Sequence, residues 1–86
     1  MNIALDYDGT YTEDPVMWAD FIKMAKNRGH RVYIVTCRSN KNPVDKIAED
    51  LVNKVFYTNY QAKRAYMIDM QKIRVDVWID DNPEVV

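Results

Sequence analysis

Acidic residues follow two of the apolar runs in this chain of 86 residues, one run near each end. Asp6 and Asp8 follow the run Ile3–Leu5, and Asp80 and Asp81 follow the last run. If these two runs are neighbouring strands, the four carboxylates crowd together, which raises their pKa values or requires a cation. A hard divalent ion with oxygen ligands, above all Mg²⁺, resolves this repulsion. We therefore expect a Mg²⁺ site at the four acids.

Three further polar or flexible residues accompany the acids. Thr36 ends the second apolar run, Lys63 stands just inside a predicted helix, and Gly9 lets the backbone turn closely around a bound anion. Because side chains alternate along a strand, Asp6 and Asp8 point to the same side. Each residue alone has an ordinary explanation, since strand-end acids commonly form turns and a helix-start lysine is usually solvated. Their combination favours a functional site.

Four short apolar runs, rich in Val, Ile and aromatic residues, have the length of strands. They are apolar at consecutive positions, as strands buried on both faces require. The predicted strands are Ile3–Leu5, Arg31–Thr36, Val55–Tyr57 and Val75–Ile79.

The segments between these strands have the apolar spacing of helices. The predicted helices start at Pro15 after the N-cap Asp14, at Pro43 after the N-cap Asn42, and at about Tyr60 after the N-cap Asn59. The first helix ends at Gly29 and the third at about Lys72.

The alternation of strand and helix predicts parallel strands joined by right-handed crossovers. The expected fold is a three-layer α/β/α, Rossmann-like parallel sheet, and the single domain spans residues 1–86. In such sheets ligands bind beyond the carboxyl ends of the strands, especially where the strand order reverses. The residues expected to carry the chemistry all follow these ends.

Composition excludes several classes of protein. Apolar residues make up 48% of the chain and charged residues 29%, so a core can form. The net charge of −1 excludes the broad positive field of a general nucleic-acid binder, so contacts with polyanions must be local. Cys37 is the single cysteine, which fits a reducing cytoplasm. No apolar run approaches the ~20 residues that cross a bilayer, and we expect a soluble cytoplasmic protein without a membrane partner.

The order of these motifs resembles that of the haloacid dehalogenase (HAD) superfamily. The segment Asp6–Thr10 after a hydrophobic strand, Thr36 at the end of the next strand, Lys63 at a helix start and the pair Asp80–Asp81 look like its four ordered motifs. The resemblance covers the chain from Ile3 to Pro83, and the tail Val77–Glu84 also looks like small, often phage or bacterial, members. It implies a phosphohydrolase built on a minimal core.

The resemblance implies a role for each matching residue. Asp6 is the nucleophile that forms an aspartyl-phosphate, and Asp8 is the general acid and base. Lys63 and Thr36 hold the phosphoryl oxygens. The remaining members of the expected phosphate-binding set are Gly9, Thr10 and Arg38.

The same resemblance implies how the metal is held. Asp6, the backbone carbonyl of Asp8 and the acidic pair bind Mg²⁺. Within the pair, Asp81 is expected to be a direct ligand and Asp80 to act through a water molecule.

The segment between Tyr11 and Asp14 is too short for a folded cap over the site, so the site is expected to be open. Family members without a cap accept larger substrates or borrow a wall from a partner subunit, and a homo-oligomer would fit the second case. The loop from Arg38 to Lys41 brings two positive charges to the rim. A substrate contact there predicts a nucleotide or a nucleic-acid end, and a solvated loop is an equally good explanation.

Two other functions are open alternatives. A phosphate-binding or interaction module can retain an acidic site without turnover. A receiver domain also accepts phosphate on an Asp, but that Asp follows the third strand, where this chain has Thr58 and Asn59.

Overall fold

The computed structural model describes all residues from Met1 to Val86, and its strands form one parallel sheet. The strands are β1 (Asn2–Leu5), β2 (Arg31–Thr36), β3 (Lys54–Tyr57) and β4 (Val77–Ile79). Their order in the sheet is β3-β2-β1-β4, and every neighbouring pair is parallel. The predicted parallel α/β sheet is confirmed, and the small domain is compatible with a Rossmann-like fold.

Strand β4 begins two residues later than predicted, at Val77 instead of Val75. The residues before it contact Asn2 through both side-chain and backbone hydrogen bonds. Asn2 donates its backbone N–H to Asp76 Oδ2 (2.8 Å) and its side-chain amide to the carbonyl of Arg74 (2.9 Å). Asp76 also donates its backbone N–H to the Asn2 carbonyl at 2.8 Å, but its carboxylate occupies the Asn2 N–H that a regular ladder would use.

The first helix, α1, spans Pro15–Asn27, and its predicted N-cap is confirmed. Asp14 Oδ1 accepts a hydrogen bond from the backbone N–H of Met17 at 3.1 Å. Gly29 follows the helix with φ of 87°, the left-handed conformation in which glycine commonly ends helices.

Helix α2 spans Lys46–Leu51, so the prediction that it starts at Pro43 with Asn42 as N-cap is wrong. Asp45 is the N-cap, and its Oδ1 accepts a hydrogen bond from a backbone N–H of the first turn at 2.8 Å. The backbone carbonyls of Asn42 and Pro43 accept hydrogen bonds from the Arg38 guanidinium instead. A contact distant in sequence therefore overrides the local helix signal.

The third helical region is shorter than predicted and irregular. Helix α3 is a single turn, Lys63–Ala65, which continues as a π-helical segment, Tyr66–Met70. The prediction of a helix from Tyr60 capped by Asn59 is wrong, because both residues have positive φ, 65° and 52°. Lys72, with φ of 58°, ends the region as predicted. The left-handed turn before α3 sets where Lys63 enters the site.

Each face of the sheet is covered by its own apolar cluster. Alternate residues of β1 and β2 point to opposite faces, which explains why both strands are apolar at consecutive positions. One cluster joins Ile3, Leu5, Val32 and Ile34 to Ile22 of α1 and Ala48 of α2. The other joins Ala4, Tyr33, Val35 and Phe56 to Met67 of the π-helical segment.

The carboxyl edge of the sheet has no folded cap above it. The connection from β1 to α1 contains one 3₁₀ turn, Tyr11–Glu13, and the connection from β2 to α2 is irregular. None of the helices combines the length and the apolar content needed to cross a membrane.

Candidate functional site

The site lies at the carboxyl ends of β1 and β4, which are neighbours in the sheet. Leu5 is paired with Ile79, and the next residue, Asp6, donates its backbone N–H to the Ile79 carbonyl at 2.9 Å. Because β2 and β4 lie on opposite sides of β1, the strand order reverses here. This is where open parallel sheets bind ligands.

A buried lysine joins two of the acids. Lys63 Nζ donates to Asp6 Oδ1 at 2.7 Å and to Asp80 Oδ2 at 2.5 Å. The side chain of Lys63 is 1% exposed, that of Asp6 8% and that of Asp80 4%. Burial lowers the pKa of Lys63, but the hydrogen bonds to the two carboxylates outweigh it and hold the pKa above its usual value. One permanent ammonium charge therefore faces two buried carboxylates.

A third carboxylate completes a group that could hold a metal ion. Asp6, Asp80 and Asp81 each offer one carboxylate oxygen, and these oxygens all lie within 4.8 Å of one another. Asp80 is already held by Lys63 and by the backbone N–H of Asn82, at 3.0 Å. Asp81 is exposed and has only a long contact with a hydroxyl. It is the acid with the most coordination capacity left.

The environment of Asp6 disfavours its charged form. Burial is the largest cause, and it raises the pKa of Asp6 to about 6 although Lys63 opposes the shift. Asp81 and Asp80 raise it further. A cation placed between these acids would offset the desolvation cost of the buried carboxylates and their mutual repulsion.

The turn after β1 lies in close contact with the Asp81 carboxylate. Thr10 donates its hydroxyl to Asp6 Oδ2 at 3.1 Å and lies 3.4 Å from Asp81 Oδ1. Gly9 has φ of 82°, and a Cβ at this position would lie 2.5 Å from Asp81 Oδ2. Its backbone N–H donates to Thr12 Oγ1 at 3.0 Å. The positive φ therefore favours glycine at this position, and a Cβ there would displace the exposed Asp81 carboxylate.

Asp8 and Arg38 pair with each other at the rim. Arg38 Nε donates to Asp8 Oδ2 at 2.8 Å and Nη2 donates to Oδ1 at 2.7 Å, a bidentate contact. This hydrogen bonding outweighs the effect of burial and holds the pKa of Asp8 below its usual value. The carboxylate of Asp8 stands outside the group of three acids. Both residues are within the site region, but neither is free.

Thr36 ends β2, the strand next to β1, and is 1% exposed. Its Oγ1 accepts a hydrogen bond from the backbone N–H of Arg38 at 3.3 Å. That contact uses a lone pair of the hydroxyl oxygen and not its hydrogen. The structure thus brings Asp6, Thr10, Lys63, Asp80 and Asp81 into one group, with Thr36 on the adjacent strand.

Sequence reasoning missed a hydrogen-bond network around Tyr7, on the other side of the turn after β1. Tyr7, between the two N-terminal acids, is buried and donates its hydroxyl to Asp45 Oδ2 at 2.9 Å. The same hydroxyl accepts the backbone N–H of Asp45 at 3.2 Å. The Arg38 guanidinium lies 4.9 Å from the centre of the Tyr7 ring. Asp45 carried a local signal as a helix N-cap, but its pairing with Tyr7 joins positions 38 residues apart.

We compared the chain with protein-family models, with curated proteins and with solved structures, and found no match in any of the three. The function is therefore inferred from the chemistry and geometry of the site.

Proposed function

We propose that this protein is a Mg²⁺-dependent phosphomonoester hydrolase in which Asp6 is the nucleophile. One observation carries the proposal: a buried Lys63 bonded to both Asp6 and Asp80 beside a third carboxylate. An anionic nucleophile that attacks an anionic phosphoryl group needs fixed positive charge next to it. Lys63 supplies part of that charge from a buried position, where solvent screens it much less than at the surface.

We also propose that the fold is the three-layer core of the HAD superfamily without a cap. The apolar clusters on the two faces of the sheet support three layers. The resemblance of the ordered motifs supports the family, and their positions at the carboxyl edge agree with it. The single cysteine, Cys37, supports a reducing cytoplasm as the compartment.

The acids of the site fit a magnesium ion. Their ligand atoms are all oxygens, which Mg²⁺ prefers, and the raised pKa of Asp6 reflects charge that a cation would neutralise. Asp6, Asp81 and the backbone carbonyl of Asp8 would hold the ion, with Asp80 acting through water. When bound, the ion supplies positive charge at the phosphoryl oxygens.

The residues of the chain would act in two steps. Asp6 attacks phosphorus, a P–O bond to its carboxylate forms, and the bond to the substrate oxygen breaks as protonated Asp8 donates a proton to that oxygen. Asp8 then takes a proton from water, whose oxygen attacks phosphorus and releases Asp6. Lys63 and Thr36 hold the phosphoryl oxygens throughout. Asp8 has to leave Arg38 before either proton transfer.

The need for Asp8 to leave Arg38 favours a second candidate function, a phosphate-binding module without turnover. Asp8 is held by two hydrogen bonds from Arg38 and has a lowered pKa, the opposite of what a general acid needs. If Arg38 never releases it, the site binds phosphate but does not hydrolyse an ester.

Phosphate release from a small aryl phosphate with added Mg²⁺ tests the hydrolase. Asp6→Asn should abolish turnover, a loss of at least about a thousandfold, because it removes the attacking charge and little volume. Asp20→Asn makes the same chemical change on the exposed face of α1 and should keep the wild-type rate. Equal rates in Asp6→Asn and wild type would exclude the covalent mechanism.

Calorimetry tests the metal site separately. Mg²⁺ should bind wild type and not Asp81→Ala, and it should stabilise the fold by about 3 kcal/mol at a hundredfold excess over Kd. Equal binding by both proteins would exclude the metal assignment. Binding of Mg²⁺ and inorganic phosphate without any turnover would establish the second candidate.

A further inference from the structure

A groove runs along β3, the edge strand next to β2, and none of its lining residues is acidic. Its volume is about 530 Å³, within the range of small-ligand sites. The lining residues that can contact a ligand include Lys41, Lys54, Tyr57, Tyr66, Asn59 and Gln71. The chain has 13 acidic and 12 basic residues, so a groove with lysines and no acid is a local departure from the overall balance.

The two lysines of the groove are free to contact an anion. Neither Lys41 nor Lys54 has an ion-pair partner, and Lys54 Nζ lies 5.1 Å from the centre of the Phe56 ring. Arg38, the other cation expected at the rim, is held by Asp8 and by the carbonyl of Pro43. Of the two cations expected at the rim, the one free to contact a substrate is therefore Lys41, in this groove.

The groove begins beside the candidate active site. Tyr57 is the register partner of Thr36, and Asn59 donates its backbone N–H to the carbonyl of Arg38 at 3.2 Å. Two strand spacings, about 10 Å, separate β3 from β1. The groove then follows β3 from Tyr57 to Lys54 for roughly another 10 Å. A ligand that occupies both places must extend well beyond its reacting group.

The chemistry of the lining favours one class of extended anion. Positive charge alongside half-buried tyrosines is how proteins hold single-stranded nucleic acids, with bases on aromatic faces and phosphates on lysines. The side-chain amide of Asn59 can pair with base edges, whereas Gln71 Nε2 already donates to the Tyr66 hydroxyl at 3.1 Å. A sugar phosphate has no second anionic group to meet these lysines, and a duplex keeps its base faces stacked inside.

We propose that the β3 groove binds the nucleotides next to the terminal phosphate of a single-stranded oligonucleotide. The proposal rests on the proposed function, since it places the terminal phosphate at Asp6. It adds the substrate class and the residues that select it. The terminal phosphate would meet Lys63 while the following phosphodiesters meet Lys41 and Lys54 and a base meets Tyr66.

Binding is measured without turnover, by fluorescence anisotropy of a labelled, unphosphorylated oligothymidylate of about ten nucleotides in excess EDTA. Lys41→Gln/Lys54→Gln should weaken binding about tenfold or more, and should flatten the plot of log K against log salt by about 1.4. The control Lys23→Gln/Arg31→Gln removes the same charge from exposed positions outside the groove and should bind as wild type does.

Tyr66 separates stacking from charge and from folding. Tyr66→Leu removes the ring and should weaken binding by about fivefold or more, whereas Tyr66→Phe keeps the ring and should bind like wild type. Amide shifts of the labelled protein on adding oligonucleotide should concentrate at residues 39–41 and 54–59.

Several results would overturn the proposal. They are absence of oligonucleotide binding by wild type, equal losses in the groove and control variants, shifts centred elsewhere, or preference for a phosphopeptide or a mononucleotide. Hydrolysis of an aryl phosphate without oligonucleotide binding would refute the groove and leave the hydrolase standing. Groove binding without hydrolysis would support the groove and refute the hydrolase.

Discussion

The buried Asp6 makes the stability of the metal-free protein depend on pH. Burial first, and then the neighbouring carboxylates, raise its pKa to about 6 against 3.8 for the free side chain. The folded state therefore binds a proton more tightly than the unfolded state does between these two values. The stabilisation of the fold by this proton is complete below the pKa of Asp6 in the unfolded chain, and it is lost as pH rises through the pKa of Asp6 in the folded protein.

The size of this effect follows from the gap of about two pKa units. At about 1.4 kcal/mol per unit, Asp6 makes the fold about 3 kcal/mol less stable at neutral pH than in acid, and about 2 kcal/mol of this appears between about pH 4 and about pH 7. That is a large part of the stability of so small a domain. Two other shifted groups affect stability outside this pH window. The raised pKa of Lys63 acts above it, and the lowered pKa of Asp8 acts below it.

Urea unfolding in EDTA at several pH values measures the effect. Wild type should lose stability steadily from about pH 4 to about pH 7, and Asp6→Asn should show no such slope because it cannot titrate. The slope is the informative quantity, since the absolute stability of Asp6→Asn also includes the loss of an ionic partner for Lys63. Asp20→Asn, on the exposed face of α1, should keep the wild-type slope.

Two outcomes would refute this reasoning. The first is the same slope in wild type and Asp6→Asn, which would assign the proton to another group. The second is a wild type that becomes more stable as pH rises through this window. Asp81→Asn should reduce the slope in part, because Asp81 contributes to raising the pKa of Asp6.

Two further variants test the packing around the site. Gly9→Ala should lower stability by about 1–2 kcal/mol and weaken Mg²⁺ binding, because its Cβ would lie 2.5 Å from Asp81 Oδ2 at a φ of 82°. Gly29→Ala has a similar φ and no atom within 4 Å, so it should lower stability alone, and equal Mg²⁺ affinities would contradict the expected clash. Tyr7→Phe should lower stability by about 1 kcal/mol in urea unfolding, because the N-cap of α2 loses both hydrogen bonds. Tyr11→Phe removes a hydroxyl that makes no hydrogen bond and should change little, and an equal loss would show that the two hydrogen bonds of Tyr7 are not the cause.

The sequence alone determined the parallel sheet and the edge at which the acids gather. Apolar residues at consecutive positions have to be buried on both faces, and only a sheet with an apolar layer on each side does this. Strands joined by crossovers end at the same edge, so Asp6 and Asp80 follow from the strand boundaries. Helix α1 was also predictable, because Asp14 and Pro15 are local signals that no distant contact overrides.

Tertiary structure decided the features that depend on distant partners. Arg38 takes the carbonyls that would have begun α2 earlier, and it pairs with Asp8 across 30 positions. Lys63 meets Asp6 across 57 positions, and the resulting burial raises the pKa of that acid. The Tyr7 hydroxyl likewise bonds to Asp45, the N-cap of α2, across 38 positions. Sequence patterns report which residues are apolar or charged, but the partner of a charge is set by the packing of the whole chain, and that partner determines whether the charge is free, paired or neutral.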